Sequence, residues 1–543
     1  MAVIAPQTDL YLIKSPLEMD EVNQLTFSNA NAQYNYFTSL PKIGVDDFTY
    51  QRKDSTIRYG GNFDDLIGYN YCMYRNDAFS NKWFYAYITG MEYLNDSVTA
   101  ITIKTDVWQT WQFDLDYKRV FVEREHVNDD TVGLHTVPEN LELGEYVKNS
   151  NTGTPQIGPS IMWYGVGISD IVGTMSNYPS ANVNGLPNGL YYVFTDTVST
   201  LHSIVQLYNN AGKSDAIYSM FVFPKQALYV RQGDSGSFAY QTSTWEYSQG
   251  TYSTLFDVYV PTSNSNVGTL VETRQINLPT KVGKTYTPKN NKLFTYPYCY
   301  FNISNNSGTT VTYHYEDFDG IPSFNLEGII NVGCSTKLYP INYKNMNIFS
   351  GDVQDNPYEY GITGGKYPTI SWNSDSYTNW LTQNAVNIGS DILTSSFSTL
   401  ANVGSGNYVG AAGNLLSGIT GSVSQIYKAS LMPDQAKGNT NVGDLNYTKH
   451  ANKFTVFELS IKPEYAQIID DYFSMFGYKV NRVKIPNITG RRNWNYVKTL
   501  GCYIDGDVPQ ADLEEIKSMF NNGVTFWHNP ATFADYSQNN DII

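Results

Sequence analysis

Apolar and polar residues alternate in short runs over most of this chain, the two-residue period of half-buried strands. Residues 83–89, WFYAYIT, are aromatic and β-branched and lead to the turn residues Asn95, Asp96 and Ser97. Ile101 and Ile103 then alternate with Thr102 and Lys104, and Asp106 stands where it can cap the aromatic segment VWQTWQF. The first 125 residues therefore predict β structure. From about 150 to 370, apolar runs at 191–194, 220–223 and 256–260 are separated by Gly, Asn, Ser and Pro. That spacing predicts one or two β barrels or sandwiches. After 440 the pattern becomes α+β, with a strand at 453–459. A helix is opened by Pro463, carries Ile468, Ile469, Tyr472 and Phe473 on one face, and is ended by Gly477. A strand at 502–504, a helix at 511–520 and a strand at 524–527 follow.

The stretch 371–440 differs in kind. No charged residue lies between Asp391 and Lys428, and no proline between Thr369 and Met432. Leu381, Ala385, Ile388 and Ile392 fall at helical spacing, as do Leu415, Leu416, Ile419, Val423 and Ile426. Between them lies a Gly-rich hinge that includes Gly404, Gly406, Gly410 and Gly413, with Phe397 and Leu400 on its N-terminal side. Two amphipathic helices with uncharged Ser, Thr and Asn faces can fill an internal cavity, line a pore, or enter a bilayer.

Composition narrows the setting. The chain of 543 residues is 41% hydrophobic but only 16% charged, against roughly 25% charged in a typical soluble domain. Tyr, with 45 copies, takes up much of the difference, as in extracellular and virion structural proteins. The net charge of −16 opposes a protein that grips nucleic acid; it suits a conduit through which nucleic acid slides, and equally an ordinary soluble protein. The N-terminal sequence lacks the pattern of a secretory signal, and no run reaches the roughly 18 apolar residues of a membrane span. Synthesis in a cytoplasm as a soluble molecule is the expectation.

Catalytic and metal motifs are absent: there is no GxSxG, GxxxxGK[ST], HExxH or helix-opening GxGxxG. Cys72, Cys299, Cys334 and Cys502 are far apart and read as core thiols. His126, His450 and His528 are isolated, and the neighbouring acids Asp64/Asp65 and Asp470/Asp471 arise readily by chance among 51 acids. No cofactor, metal or enzymatic activity is expected. From 472 to 500, however, Lys479, Arg482, Lys484, Arg491, Arg492 and Lys498 occur without an acid. In so acidic a chain this basic cluster reads as an intersubunit contact before it reads as a DNA site.

The blocks NKWFYAYIT (81–89), TDVWQTWQFD (105–114), FVEREHV (121–127), YPYC (296–299), FGYKVNRVKIPN (476–487), RRNWNYVKT (491–499) and NNGVTFWH (521–528) resemble the distal tail-knob proteins of small short-tailed phages of the Picovirinae type. The resemblance implies a mainly β fold with α+β elements. Residues 1–150 and 441–543 would form a discontinuous tail-tube-like β domain, 151–370 a β-rich knob, and 371–440 a hydrophobic loop. It further implies a homo-hexameric tube at the distal end of the virion tail, made in the host cytoplasm. Such a tube joins other tail proteins, on the connector side and at the tip, and passes double-stranded DNA without specific binding. The loop would plug the lumen and then penetrate the host membrane. The alternatives are a receptor-binding or a cell-wall-degrading tail-tip protein.

Overall fold

A computed structural model describes residues 453–543, and residues 8–371 apart from 47–49, 52–54, 77–80, 150–155, 159–160, 184–185, 187, 229–238, 263–269, 329–334, 345–356 and 367–368. The fold is mainly β with α+β elements, as the alternation predicts. It divides into two compact units, one of residues 1–145, 285–298 and 461–543, the other of 146–284 and 299–460.

In the first unit, an antiparallel sheet runs in the order Lys42–Asp46, Thr8–Ile13, Tyr71–Asn76, Phe84–Asn95, Val98–Thr105, Thr56–Tyr59 and Tyr50–Gln51. A second sheet runs Asn23–Leu25, Val524–Trp527, Trp494–Leu500, Val120–Glu125 and Tyr478–Lys484. Asn23–Leu25 lies parallel to Val524–Trp527, with Asn23 opposite Thr525. Chain ends remote in sequence thus share one sheet, and they share one core: Phe37, Tyr71, Tyr85, Trp494 and Trp527 pack together with almost no exposure. Burying each such aromatic contributes about 2–3 kcal/mol. Asp106 caps the helix Val107–Trp111 as its position predicts, accepting the Gln109 N–H at 3.0 Å and the Tyr71 hydroxyl at 2.8 Å.

The helix Ala30–Ser39 was not expected in this β-prone region. Its sequence ANAQYNYFTS holds no aliphatic stripe, and only Gln33 and Phe37, one turn apart, are buried. Asn29 supplies the start, its side chain accepting the Ala32 N–H at 2.9 Å.

The helix Pro463–Phe476 starts at its proline and stops at Gly477, as expected. Gly477 has φ of 65°, and a Cβ there would lie 2.2 Å from the Glu125 carbonyl oxygen, so only glycine fits. The buried face differs from the predicted one. It carries Ala466, Ile469, Asp470 and Phe473, whereas Ile468 is 67% exposed. Asp470 displaces the aliphatic because it holds the returning segment 285–298. It accepts the Tyr286 hydroxyl (2.7 Å), the Lys289 N–H (2.7 Å), the Asn290 N–H (3.0 Å) and the Asn290 side-chain amide (2.8 Å).

The second unit holds an antiparallel sheet ordered Thr174–Met175, Tyr240–Gln249, Tyr252–Pro261, Tyr191–Thr195, Met162–Ile168, Ile217–Pro224 and Thr369–Ser371. Val166, Val193, Val222 and Trp245 on one face pack with Leu201, Ile204 and Leu207 of the helix Val198–Asn210. That helix escaped the sequence reading because β-branched Val198, Thr200, Ile204 and Val205 imitate a strand. Trp163, Phe194, Phe221 and Phe223 form a second cluster on the opposite face. A further core joins Phe301, Tyr313, Phe324, Leu338 and Phe454 from the remaining strands of this unit.

Two substitutions on one helix separate the two readings of its buried face. Asp470→Ala leaves several buried donors without an acceptor and is expected to cost about 3 kcal/mol. Ile468→Ala is expected to change stability by less than about 0.5 kcal/mol. Urea midpoints followed by tryptophan fluorescence measure both.

Candidate functional site

The six basic residues between 472 and 500 fold onto two strands and the loop between them. Lys479, Arg482 and Lys484 lie on Tyr478–Lys484, the outermost strand of its sheet among the described residues, and Lys498 lies on Trp494–Leu500. The strand Val120–Glu125 runs between these two and pairs with both. It brings the acids that the local sequence lacked: Lys498 Nζ is 3.0 Å from Glu123, and Lys484 pairs with the buried Glu125. Arg491 is buried, donating to the Val127 carbonyl at 2.9 Å and the Asn540 carbonyl at 3.3 Å. Loss of water pushes its pKa below the ordinary guanidinium value. It lies inside the unit and is not a surface contact. Arg492 is exposed, its N–H donating to the Asp541 carbonyl at 3.0 Å. Arg482 is exposed as well. The cluster is thus an exposed basic edge plus one interior arginine.

Behind that edge, the ladder of Val120–Glu125 shifts register between Val122 and Arg124. Such a bulge re-aims the side chain that follows it. Arg124 pairs with Glu139, whose side chain has no exposure, and donates to the Gly477 carbonyl at 2.7 Å. Lys292, from the returning segment, pairs with the same carboxylate and donates to the Val137 carbonyl at 2.9 Å. Burial lowers the Lys292 pKa, and Glu139 counters that shift in part. The Lys479 N–H adds a further donor to Glu139 at 2.9 Å. Sequence reasoning missed Glu123, Glu125 and Glu139 because they lie 340–375 positions before Lys479, Lys484 and Lys498. For Glu123 and Glu125 the alternation within FVEREHV was the available signal.

His126 and His528 read as packing residues, and both are largely enclosed. His126 Nδ1 accepts the Tyr496 N–H at 2.7 Å, so Nε2 carries the proton toward the Ser474 carbonyl at 3.1 Å. Burial, with Arg491 next in weight, holds His126 neutral down to about 3, and burial holds His528 neutral down to about 4. Cys72, Cys299 and Cys502 are buried free thiols. Asp470 is the structural anchor described above, and Asp64 and Asp65 sit in the short helix Phe63–Leu66. Among the described residues no cluster of His, Cys, Asp and Glu could hold a metal, and no helix is long and apolar enough to cross a membrane. The loop residues Leu381, Ile388, Ile392, Phe397, Leu400, Leu415, Leu416, Ile419, Val423 and Ile426 lie outside the described residues. So do Gly404, Gly406, Gly410 and Gly413, and likewise Cys334 and His450.

Comparison with known proteins gives this architecture a setting. The fold is that of a solved structure, the tail knob protein gp12 of bacteriophage C1. The TM-score is 0.64 at 14% identity, over 99% of this chain and 100% of that one. Residues 7–116 match the family described as "Caudoviral major tail protein N-terminus". Fold and matches together define a structural protein of a phage tail. More narrowly, residues 261–541, over half the chain, match the family "Bacillus phage phi29, Tail knob protein gp9, C-terminal domain", and the chain belongs to that tail-knob family. It is 27% identical to tail knob protein gp9 of Bacillus phage PZA over 97% of each chain. It is also 27% identical to that of Bacillus phage B103 over 98% of each, and 26% identical to that of Bacillus phage phi29 over 97% of each.

The depressed histidine values give stability a direction with pH. In the unfolded chain His126 takes up a proton near its ordinary value of 6.5, whereas the folded protein resists protonation down to about 3. Its contribution is complete above pH 6.5 and is lost as pH falls toward 3. Burial lifts Asp106 to about 6, an effect of opposite sign between about pH 4 and 6. His126→Asn is expected to be less stable than the wild type at pH 7.5, by about 1–3 kcal/mol for the lost buried bonds. The difference should shrink at pH 4.5, as read from urea midpoints of both proteins at the two pH values.

Proposed function

We propose that six copies of this protein form a tube at the distal end of the virion tail, through which double-stranded DNA leaves without specific binding. Residues 1–150 and 441–543 build the tube part, 151–370 the knob, and 371–440 a plug that is released to penetrate the host membrane. Membership of the tail-knob family carries this reading. The uncharged run between Asp391 and Lys428 supports it from the sequence side. The net charge of −16 supports passage of a polyanion without adhesion. No catalytic role is assigned.

Neither helical pattern in 371–440 has the roughly 20 continuous apolar residues needed to span a bilayer alone. Copies pooled in a ring solve this. Aliphatic faces with Leu381, Ile388, Leu416 and Ile419 turn to lipid, and uncharged polar faces enclose water. Each helix then satisfies its own backbone in hydrocarbon. Glycines 404, 406, 410 and 413 permit the change of path between the stored and inserted states. With Asp391 the only acid and no histidine between 376 and 427, that stretch carries no pH switch of its own.

The wild type is expected to sediment as a ring and to release dye from liposomes when the loop is freed. A deletion of 380–430 should still form rings and leak at least tenfold less. Equal leakage from both proteins refutes the membrane role, and a deletion variant that no longer assembles marks the segment as core. Release of sugars or peptides from purified cell walls would favour a wall-degrading enzyme instead. Adsorption to cells that is blocked by host glycan would favour a receptor binder.

A further inference from the structure

Three exposed or half-exposed apolar side chains stand in one row across the second sheet of the first unit. Phe121 lies opposite Val483 on one side and opposite Leu500 on the other, so all three share a face. Val483 is 67% and Leu500 68% exposed. The strand Tyr478–Lys484, which carries Val483, closes the sheet order and has no second neighbour among the described residues. An exposed apolar row that runs to an open edge is a liability unless a partner covers it.

Charge identifies the partner. Six of the 35 basic residues and none of the 51 acids lie between 472 and 500, so the rest of the chain carries −22. Glu123 and Glu125 offset Lys498 and Lys484, which leaves the edge positive through Lys479 and Arg482. Two such edges laid against each other would oppose like charges, which disfavours a two-fold contact. An acidic surface elsewhere on a second copy suits it, and a head-to-tail contact of that kind generates a ring or a filament.

One projecting element has the matching character. The strands Phe84–Asn95 and Val98–Thr105 form a hairpin that outruns its sheet. Tyr71–Asn76 reaches only to Tyr87, and Thr56–Tyr59 covers positions 99–102 on the other side. The tip exposes Tyr93 (53%) and Leu94 (42%) between the acids Glu92 and Asp96, and residues 90–98 hold no base.

We propose that the 91–96 hairpin tip of one copy seats on the Val483–Phe121–Leu500 row of the next, its acids facing the basic edge. This rests on the ring reading and names the surfaces that close it. The test uses full-length protein in a Cys334→Ser background, the other thiols being buried. Leu94→Cys and Val483→Cys are made singly and together and treated with a short bis-maleimide. The double variant should give a covalent ladder beyond the dimer, and each single variant should stay monomeric on a denaturing gel. Covalent dimers from Val483→Cys alone would establish a two-fold contact and overturn the proposal. A double variant that sediments as a ring but yields no ladder would overturn these surfaces and leave the ring standing. A wild type that is monomeric at every salt concentration would overturn both. Leu500→Asp, which changes no buried side chain, should lower the assembled fraction at least tenfold with an unchanged urea midpoint. Undiminished assembly would again refute the contact.

Discussion

A single carboxylate without access to water, that of Glu139, organises the first unit. Arg124 and Lys292 close on it from positions 15 and 153 residues away, and the Lys479 N–H joins from 340 residues away. Two buried cations around one anion is a costly arrangement unless each has other partners. Here each does. Arg124 reaches the Gly477 carbonyl and stacks over Tyr472, and Lys292 reaches the Val137 carbonyl and lies 5.3 Å from the Tyr478 ring centre. The geometry of Gly477 is part of the same arrangement, because a side chain there would collide with Glu125 and part the helix from the sheet. Asp470 repeats the device one layer away, so the returning segment 285–298 is fixed by charge at two points.

This explains how a strongly acidic chain can keep a basic edge. Acids drawn from 120–140 are used inside or beside the 478–500 strands, and the cations they do not reach remain on the surface. Fold and electrostatics are therefore coupled: the bulge that turns Arg124 inward toward Glu139 also leaves Glu123 beside Lys498 and the apolar row of Phe121 facing outward. Family membership then gives the acidity and the charge-poor stretch a common context in a virion tail.

The sequence disclosed those parts of this architecture that local rules govern. The alternation at 83–104, the cap at Asp106, and the proline and glycine bounding 463–476 each rest on a few neighbouring residues. What it concealed depends on partners far along the chain. Ile468 and Asp470 exchange roles because Tyr286, Lys289 and Asn290 arrive from elsewhere. The run from 472 to 500 looked acid-free because its acids lie in 123–139. The helix Ala30–Ser39 was hidden for a different reason: its stability comes from a cap and one buried phenylalanine, which leave no periodic stripe. Of the candidate site, the six cations were visible, but which are free, paired or buried was not.

The parallel pairing of Asn23–Leu25 with Val524–Trp527 has a consequence for the life of the chain before it is folded. The Trp527 indole bonds to Asn23 across 504 positions, so this sheet cannot close during most of translation. At about 5–20 residues per second, the aromatic face around Phe37 and Tyr71 waits on the order of a minute for its cover. During that interval the nascent N-terminal segment is an open, tyrosine-rich sheet surface in a crowded cell. That exposed surface is a kinetic burden, and the finished sheet, closed by Val524–Trp527, no longer shows it.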